Sequence, residues 1–340
     1  MHLSPRTPLR TEDEGISRWS SIPFLLCHLA PLAAIFTGVT RTSLVLFAVL
    51  FVVRMWFITA GFHRYFAHRA FKTNRVFQFV LAFGGGSAGQ KGALWWAANH
   101  RDHHKYTDTE RDPHTPQKGF WWSHVGWVLS GKYNSDDLDR IADFAKYPEL
   151  MFLEKRQWLA PWTAGVASFL IGGWPGLVVG FFGSTVLLWH STFMVNSVAH
   201  IWGSRRYGTN DTSRNNPVVA ILTLGEGWHN NHHHYPACAK QGFYWYEIDV
   251  TYYVLRALAA VRIVRDLKQP PAVALEARRV RRGHLDVGMF KEHLTRAGAF
   301  ARAGKALAAD EREAIEQLLR DVADTASAAS SKLRTSRQTA

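Results

Sequence analysis

Cysteine is nearly absent from the chain: two residues, Cys27 and Cys238, in 340. Neither has the spacing of a thiolate metal motif, and two isolated cysteines make no disulfide framework. Charge is also sparse. Asp, Glu, Lys and Arg supply 20% of residues, and acids are the scarcer sign, 27 against 40 basic. The resulting +13 and pI near 9.9 suit either nucleic acid or a membrane protein with basic cytoplasmic segments. Long apolar runs favour the second, so no nucleic-acid partner is expected. A cleavage-site pattern is missing too. The N-terminus MHLSPRTPLRTEDEG mixes both signs and runs straight into an apolar stretch, which reads as a cytoplasmic tail and not a signal peptide. No repeat of solenoid period is found.

What is present is apolar and aromatic: 47% hydrophobic residues, with 14 Trp and 21 Phe. The mean hydropathy of −0.14 averages two regimes, apolar runs in the first two-thirds and a charged tail after them. Ile22–Val39 and Leu44–Ala60 are separated by a turn too short for anything but a hairpin, and each approaches the roughly 20 residues that cross a bilayer. Trp158–Gly172 and Leu177–Ile201 form a second pair around GGWPG. Basic residues Arg64, Arg69, Lys72 and Arg75 follow the first pair and place that face in the cytoplasm. Val76–Trp96 is apolar but carries Gly84, Gly85, Gly86, Gly89 and Lys91, so it is expected to lie in the interface or re-enter from one side. The patch GFWWSHVGWVLSG within 100–156 suits headgroup level in a cytoplasmic cap. Tyr244–Leu267 reads as an amphipathic helix, and a further helix is expected around Asp310–Val322. The predicted fold is all-α: a tail over 1–20, a multi-pass membrane domain over 21–268 with four transmembrane helices in two hairpins and a histidine-rich cap, and a basic, partly disordered tail over 269–340. Both termini and the cap are placed on the cytoplasmic side.

Histidine dominates the cap. HRDHHKYTDTERDPH holds His100, His103 and His104 at i, i+3 and i+4, one face of a helix. His229, His232 and His233 repeat the spacing; a one-residue shift would substitute His234 for His233. His63 and His68 are five apart, which on a regular helix splays them by roughly 140°, so one of them is expected at a helix end. His200 follows Asn196 by one turn. Nine imidazoles suit a pair of middle-to-late first-row metals better than one ion. Zinc accepts imidazole; iron does so and adds redox chemistry. Asp102, Asp108, Asp112 and Glu226 are close enough in sequence to orient ligand rings through the second nitrogen. His28 and His190 read as satisfied polar groups in apolar runs. His114 and His124 read as supporting residues, and His2, His284 and His293 as solvated.

HRYFAH at 63–68, HRDHHKYTDTERDPH at 100–114, FWWSHVGW at 120–127, NSVAH at 196–200 and GEGWHNNHH at 225–233 together resemble the membrane fatty-acid desaturases of the stearoyl-CoA delta-9 type, in particular their bacterial branch. The likeness covers about residues 20 to 250. It implies two iron ions held by His63, His68, His100, His103, His104, His200, His229, His232 and His233, with Asn196 holding an iron through water. It implies reduction of O2, electrons from an external donor, and a cis double bond between adjacent carbons of a saturated acyl chain, usually carbons 9 and 10. Gln90, Trp95 and Trp96 resemble substrate-tunnel positions; aromatic anchoring at the interface explains the tryptophans equally well. Animal acyl-CoA members carry an Arg-Asp pair where this chain has Ala98-Asn99, so the acyl carrier is either CoA or a glycerolipid, whose phosphates Arg101, Lys105 and Lys118 could meet. No HPGG-type haem motif is present in the tail. The donor is therefore expected to be a separate electron-transfer protein such as a ferredoxin, a cytochrome b5-like protein or a reductase.

Three other readings compete. A membrane hydroxylase could use a similar poly-His iron site, a His-rich metal transporter would put its ligands inside the spanning helices, and a zinc-dependent hydrolase would work without O2. The Glu-x-x-His motif pairs of soluble ferritin-like desaturases are missing.

Overall fold

The computed structural model describes residues 14–134 and 138–280. The expected helix at Asp310–Val322, and His2, His284 and His293, lie outside them. The described chain is mostly helical.

Helix α1, Arg18–Leu29, passes through a 3-10 turn at Ala30–Ala33, where Pro31 removes a backbone donor, and continues as Ala34–Thr37. Gly38 ends it at φ 72°. Helix α2, Arg41–Trp56, opens on a capping box: Thr40 Oγ1 accepts from Ser43 N at 3.1 Å and Ser43 Oγ accepts from Thr40 N at 2.9 Å. It runs without a break into a π-helix, Phe57–Ala67. Arg41–Ala67 as a whole is 27 residues, with a mean hydropathy of 2.2 in its most apolar window.

The second expected pair is one helical run of 43 residues, Leu159–Ile201, with a single reversal. Gly173 sits at φ 62°, ψ −153°, a conformation open to glycine alone, and breaks α5, Leu159–Pro175. The arms then fold back on each other. Gly176 lies so close to Ser168 that a Cβ would come within 2.4 Å of its carbonyl oxygen. The return arm continues through a π-helix, Gly176–Gly183, into α6, Ser184–Asn196. By length and composition two helices, Arg41–Ala67 and Leu159–Ile201, can cross a membrane; Ser21–Thr37 is apolar but shorter.

Two expectations need correction. Val76–Trp96 is not one interfacial helix. It is α3, Arg75–Gly86, then a break, then α4, Ala93–Tyr106. Gly89 at φ 70° and Lys91 at φ 61° turn the chain, so Trp95 and Trp96 ride on the helix that carries His100, His103 and His104. Tyr244–Leu267 is likewise shorter. Asp249 caps α8, Val250–Ala260, by accepting from Tyr252 N at 3.0 Å, and the chain beyond turns into a strand. That strand, Val264–Arg265, pairs antiparallel with Lys72–Thr73 and forms a two-stranded sheet that no alternating pattern announced.

The core lies between α2 with its π-helix, α3, α4 and α6, built on Phe62, Phe66, Leu81, Leu94 and Leu188. Arg54 is buried among them. Its five N–H groups reach Leu50 O, Ser87 O, Phe181 O, Ser184 Oγ and Thr185 Oγ1 at 2.6–3.4 Å, which ties α2 to α6 and to the turn after α3.

Candidate metal centre

A π-helix widens the turn so that residues five apart, not four, stack along one side. That is what happens at the first histidine pair. His68 N donates to His63 O at 3.2 Å, an i to i+5 bond, and the two Nε2 atoms stand 3.1 Å apart. The splay expected of a regular helix is removed by the backbone itself, and His68 falls just past the helix end.

The two triplets do not each face one point. At 100° per residue His103 and His104 are about 100° apart around α4. His100 and His104 join one group and His103 another. On α7, His229–His234, His232 goes to the first group and His229 and His233 to the second. The nine histidines singled out from the sequence therefore converge as two sets: His63, His68, His100, His104 and His232, and His103, His200, His229 and His233. Within each set the nearest ring nitrogens all lie within 4.8 Å of one another.

In the first set the Nε2 atoms close a ring. His63 to His232 is 3.0 Å, His232 to His104 2.9 Å, His104 to His100 3.0 Å, His100 to His68 2.9 Å and His68 to His63 3.1 Å. Hydrogen bonds alone do not satisfy this ring. A neutral imidazole nitrogen is either a donor or a lone pair, and five cannot alternate around a closed circuit, so at least one neighbouring pair repels. A cation among them takes every lone pair. Nitrogens bound at ~2.1 Å and at right angles to each other stand about 3.0 Å apart, the spacing found here. In the second set His200 and His229 are 3.0 Å apart and His103 and His233 3.3 Å. The residues present fit two metal ions.

Carboxylates stand behind the rings. His63 Nδ1 meets Glu226 Oε2 at 2.5 Å, His103 Nδ1 meets Asp112 Oδ1 at 3.0 Å and His233 Nδ1 meets Asp211 Oδ2 at 3.1 Å. Each such contact puts the proton on Nδ1 and aims the Nε2 lone pair inward. Arg64, fully buried, bridges Glu226 and Asp249 at 3.2 and 3.0 Å. Burial by itself would raise the Glu226 carboxyl, but His63 and Arg64 more than offset it and hold it below its usual range. Asp211 is likewise held low by the His233 ring and the Ser213 hydroxyl against the effect of burial. Burial drives His68, His100, His103, His104, His229 and His232 well below the ordinary 6.5, so all are neutral ligands at neutral pH.

Of the four acids expected to orient rings, Asp112 and Glu226 do so. Asp108 stands 3.7 Å from His200 Nδ1 and accepts from Thr212 N at 2.6 Å, while Thr212 Oγ1 contacts that nitrogen at 3.1 Å. Asp102 does not take part; it pairs with Arg140. Asp211 was missed. It lies in a polar loop whose sequence shows no spacing relation to any histidine. Asn196 ends α6 one turn before His200 and is half-buried. His234 turns away, with Nε2 on Ala274 O at 2.7 Å and its ring stacked on Tyr207. His114 packs on His103 with ring centres 4.2 Å apart, and burial lowers it to about 3. His28, His190 and His124 are linked to one another at 3.0 Å, and His124 reaches Ser197 at 2.9 Å.

A cavity of about 790 Å³ lies beside the first set. Its wall on that side is Trp96, stacked on His100 with ring centres 4.9 Å apart. Gln90 donates to Thr192 Oγ1 at 2.7 Å and accepts from Trp96 Nε1 at 3.3 Å. Trp95 also lines the cavity, held by Nε1 on Tyr133 O at 2.7 Å and by stacking on Trp127. The other walls come mainly from Phe24, Phe181, Trp189 and Phe193 and from one face of α5. Two basic residues expected near a headgroup are engaged elsewhere. Arg101 grips Asp143 and the carbonyls of Phe66 and Ala67, and Lys118 is buried against Glu14.

The chain is 36% identical over 261 residues to the chloroplastic palmitoyl-monogalactosyldiacylglycerol delta-7 desaturase of Arabidopsis thaliana, covering 74% of this chain and 70% of that one. It is 37% identical over 252 residues to the acyl-CoA C20 Delta5-desaturase of Anemone leveillei, covering 73% and 80%. It is 38% identical over 219 residues to the sn-2 palmitoyl-lipid 9-desaturase of Nostoc sp. (strain 36), covering 63% and 77%. Residues 41–267 match the family description "Fatty acid desaturase", a span that holds all nine converging histidines, and the chain belongs to that family.

Proposed function

We propose that the protein is an O2-dependent acyl desaturase with two iron ions, which places a cis double bond at carbons 9 and 10 of a saturated acyl chain. The ligands are the nine histidines of the two sets, with Asn196 acting through water. The observation that carries this reading is the pair of imidazole sets, the first of them lying behind Trp96, which stacks on His100 and lines an apolar cavity. An alkyl chain offers nothing polar to grip, so its position is fixed by the shape of an apolar channel.

Iron held there would supply the reduction of O2. Overall, one O2, two electrons, two protons and one –CH2–CH2– give one –CH=CH– and two water molecules. The electrons come from a separate electron-transfer protein. The chain's own residues do the rest. Glu226, Asp112 and Asp211 hold the Nδ1 protons and fix ring direction. Trp96 and Gln90, the latter held by Thr192, form the polar-edged wall beside which the reacting carbons lie. Phe24, Trp189 and Phe193 exclude water.

We place the metal sets at the cytoplasmic face of a membrane crossed four times, by Ser21–Thr37, Arg41–Ala67 and the two arms of Leu159–Ile201. Relatives whose names specify acyl-CoA and relatives whose names specify lipid are similar to comparable degrees. Expression in a host with saturated membranes, followed by lipid profiling with double-bond location, tests the reading. A new cis-9 monoene is the expected product; an alcohol as main product, or turnover without O2, rules it out.

A further inference from the structure

We infer that the acyl chain enters the cavity sideways, from the bilayer, while esterified to a glycerolipid, through a slit between α1 and α5. This rests on the desaturase reading above and names its carrier.

The first observation is the shape of the cavity. On α5 and the residue before it the lining is Trp158, Pro161, Trp162, Gly165, Val166 and Phe169, one stripe at helical spacing. At 1.5 Å per residue this stripe runs roughly 17 Å along the helix. Facing it on α1 are Pro23, Phe24 and Cys27. The stripe is not sealed. Trp162 is 68% exposed, Val166 52% and Phe169 37%, although all three line the cavity. The long side between the two helices is therefore edged by side chains that face both the cavity and the outside. In the membrane orientation proposed above, that outside is hydrocarbon. A channel threaded from its end by a water-borne carrier needs an open mouth and closed sides; this one has an open side.

The second observation is charge. Among the described residues that line the cavity, Lys91 alone is charged. Its Nζ donates to Asn134 Oδ1 at 2.7 Å and lies over the Trp95 ring at 4.2 Å. A CoA carrier brings several phosphates, and sites for such groups gather several Arg or Lys side chains. Here Arg101 is taken up by Asp143 and three carbonyls, Lys118 is buried with Glu14, Lys105 is exposed over the Tyr106 ring and does not line the cavity, and the positions before His100 are a buried Ala98 and an Asn99 whose amide donates to Trp95 O at 3.0 Å. One lysine and one asparagine suit an ester and a headgroup of low charge.

The test uses the iron-loaded full chain, reconstituted in vesicles of unsaturated phosphatidylcholine with an electron-transfer protein and reductant. One sample carries dipalmitoyl-phosphatidylcholine with deuterated acyl chains; the other receives deuterated palmitoyl-CoA. The expected result is deuterated monoene in the phospholipid pool and none above background from palmitoyl-CoA. Monoene from palmitoyl-CoA alone overturns the inference and leaves the desaturase reading standing. No monoene from either overturns both. A readout independent of turnover comes from a phosphatidylcholine with a diazirine in its acyl chain. Illumination is expected to label peptides containing Phe24–Cys27 and Pro161–Phe169, and the label is lost on competition with excess dipalmitoyl-phosphatidylcholine but not with palmitoyl-CoA. Labelling displaced by palmitoyl-CoA alone overturns the inference. Val166→Cys in a Cys27→Ser background, alkylated with a bulky maleimide after reconstitution, is expected to lose phospholipid turnover relative to the same sample before alkylation. Turnover indifferent to the adduct overturns the lateral route.

Discussion

An imidazole can bind a metal through either nitrogen, and the group behind the ring decides which. Here Glu226, Asp112 and Asp211 make that choice for His63, His103 and His233 from three separate segments. Asp211→Ala leaves His233 free to rotate and to change tautomer. We expect metal affinity and turnover to fall about 10–100-fold, read as iron content of the purified protein and as monoene formed; unchanged iron content would remove Asp211 from this role. The ligands themselves should behave more severely. His100→Ala and His232→Ala each open the five-membered Nε2 ring and are expected to abolish desaturation while the protein still inserts, as judged by its yield in the membrane fraction. His234→Ala provides the contrast. That ring ties Ala274 and Tyr207, so its loss is expected to lower thermal stability and leave the metal content as it was.

At the scale of elements, the backbone departs from regular helix where the histidines need it to. The π-helix Phe57–Ala67 brings His63 and His68 together, and the break at Gly89 and Lys91 sets α4 so that Trp96 stands between the cavity and His100. The segment leading into α7 is equally constrained. Gly227 lies so close to the start of the short helix Pro217–Leu222 that a Cβ would come within 2.0 Å of Ala220 N and 2.4 Å of Asn216 O. Gly227→Ala must push backbone against backbone, at about 1–3 kcal/mol, and it displaces Glu226 and His229 together. Loss of both metal content and folded yield is the expected outcome; wild-type melting behaviour would show that the segment yields more easily than its packing suggests. These elements also mark what the sequence could and could not reveal. Apolar runs and i, i+3, i+4 spacing gave the helices and the ligand types, because those patterns are local. The division of each triplet between two sets was hidden, since it depends on where another helix stands. The role of Asp211 and the strand at Val264–Arg265 depend on contacts across 22 and 190 or more residues, for which one sequence carries no periodic signal.

Taken as a whole, the molecule buries a polar centre that water would otherwise stabilise, and metal must supply what solvation does not. The pH dependence of the metal-free protein follows from this. His68, His100, His103, His104, His229 and His232 all have folded values lowered by burial, against 6.5 for the free group. Below 6.5 the unfolded chain binds protons that the folded chain refuses, so stability is full above 6.5 and drains away as pH falls through that value towards the folded ones. Each such histidine contributes a slope on the order of 1 kcal/mol per pH unit in that window. Chelator-treated protein in detergent should therefore melt at markedly lower temperature at about pH 5.5 than at about pH 7.5. Iron-loaded protein should hold its melting temperature further down the same range, until protons displace the metal from the imidazoles and the two curves merge. A melting temperature of the metal-free protein that stays flat over this interval would mean that the rings are hydrated in solution, and the closed five-nitrogen ring would then not be the resting arrangement of the site.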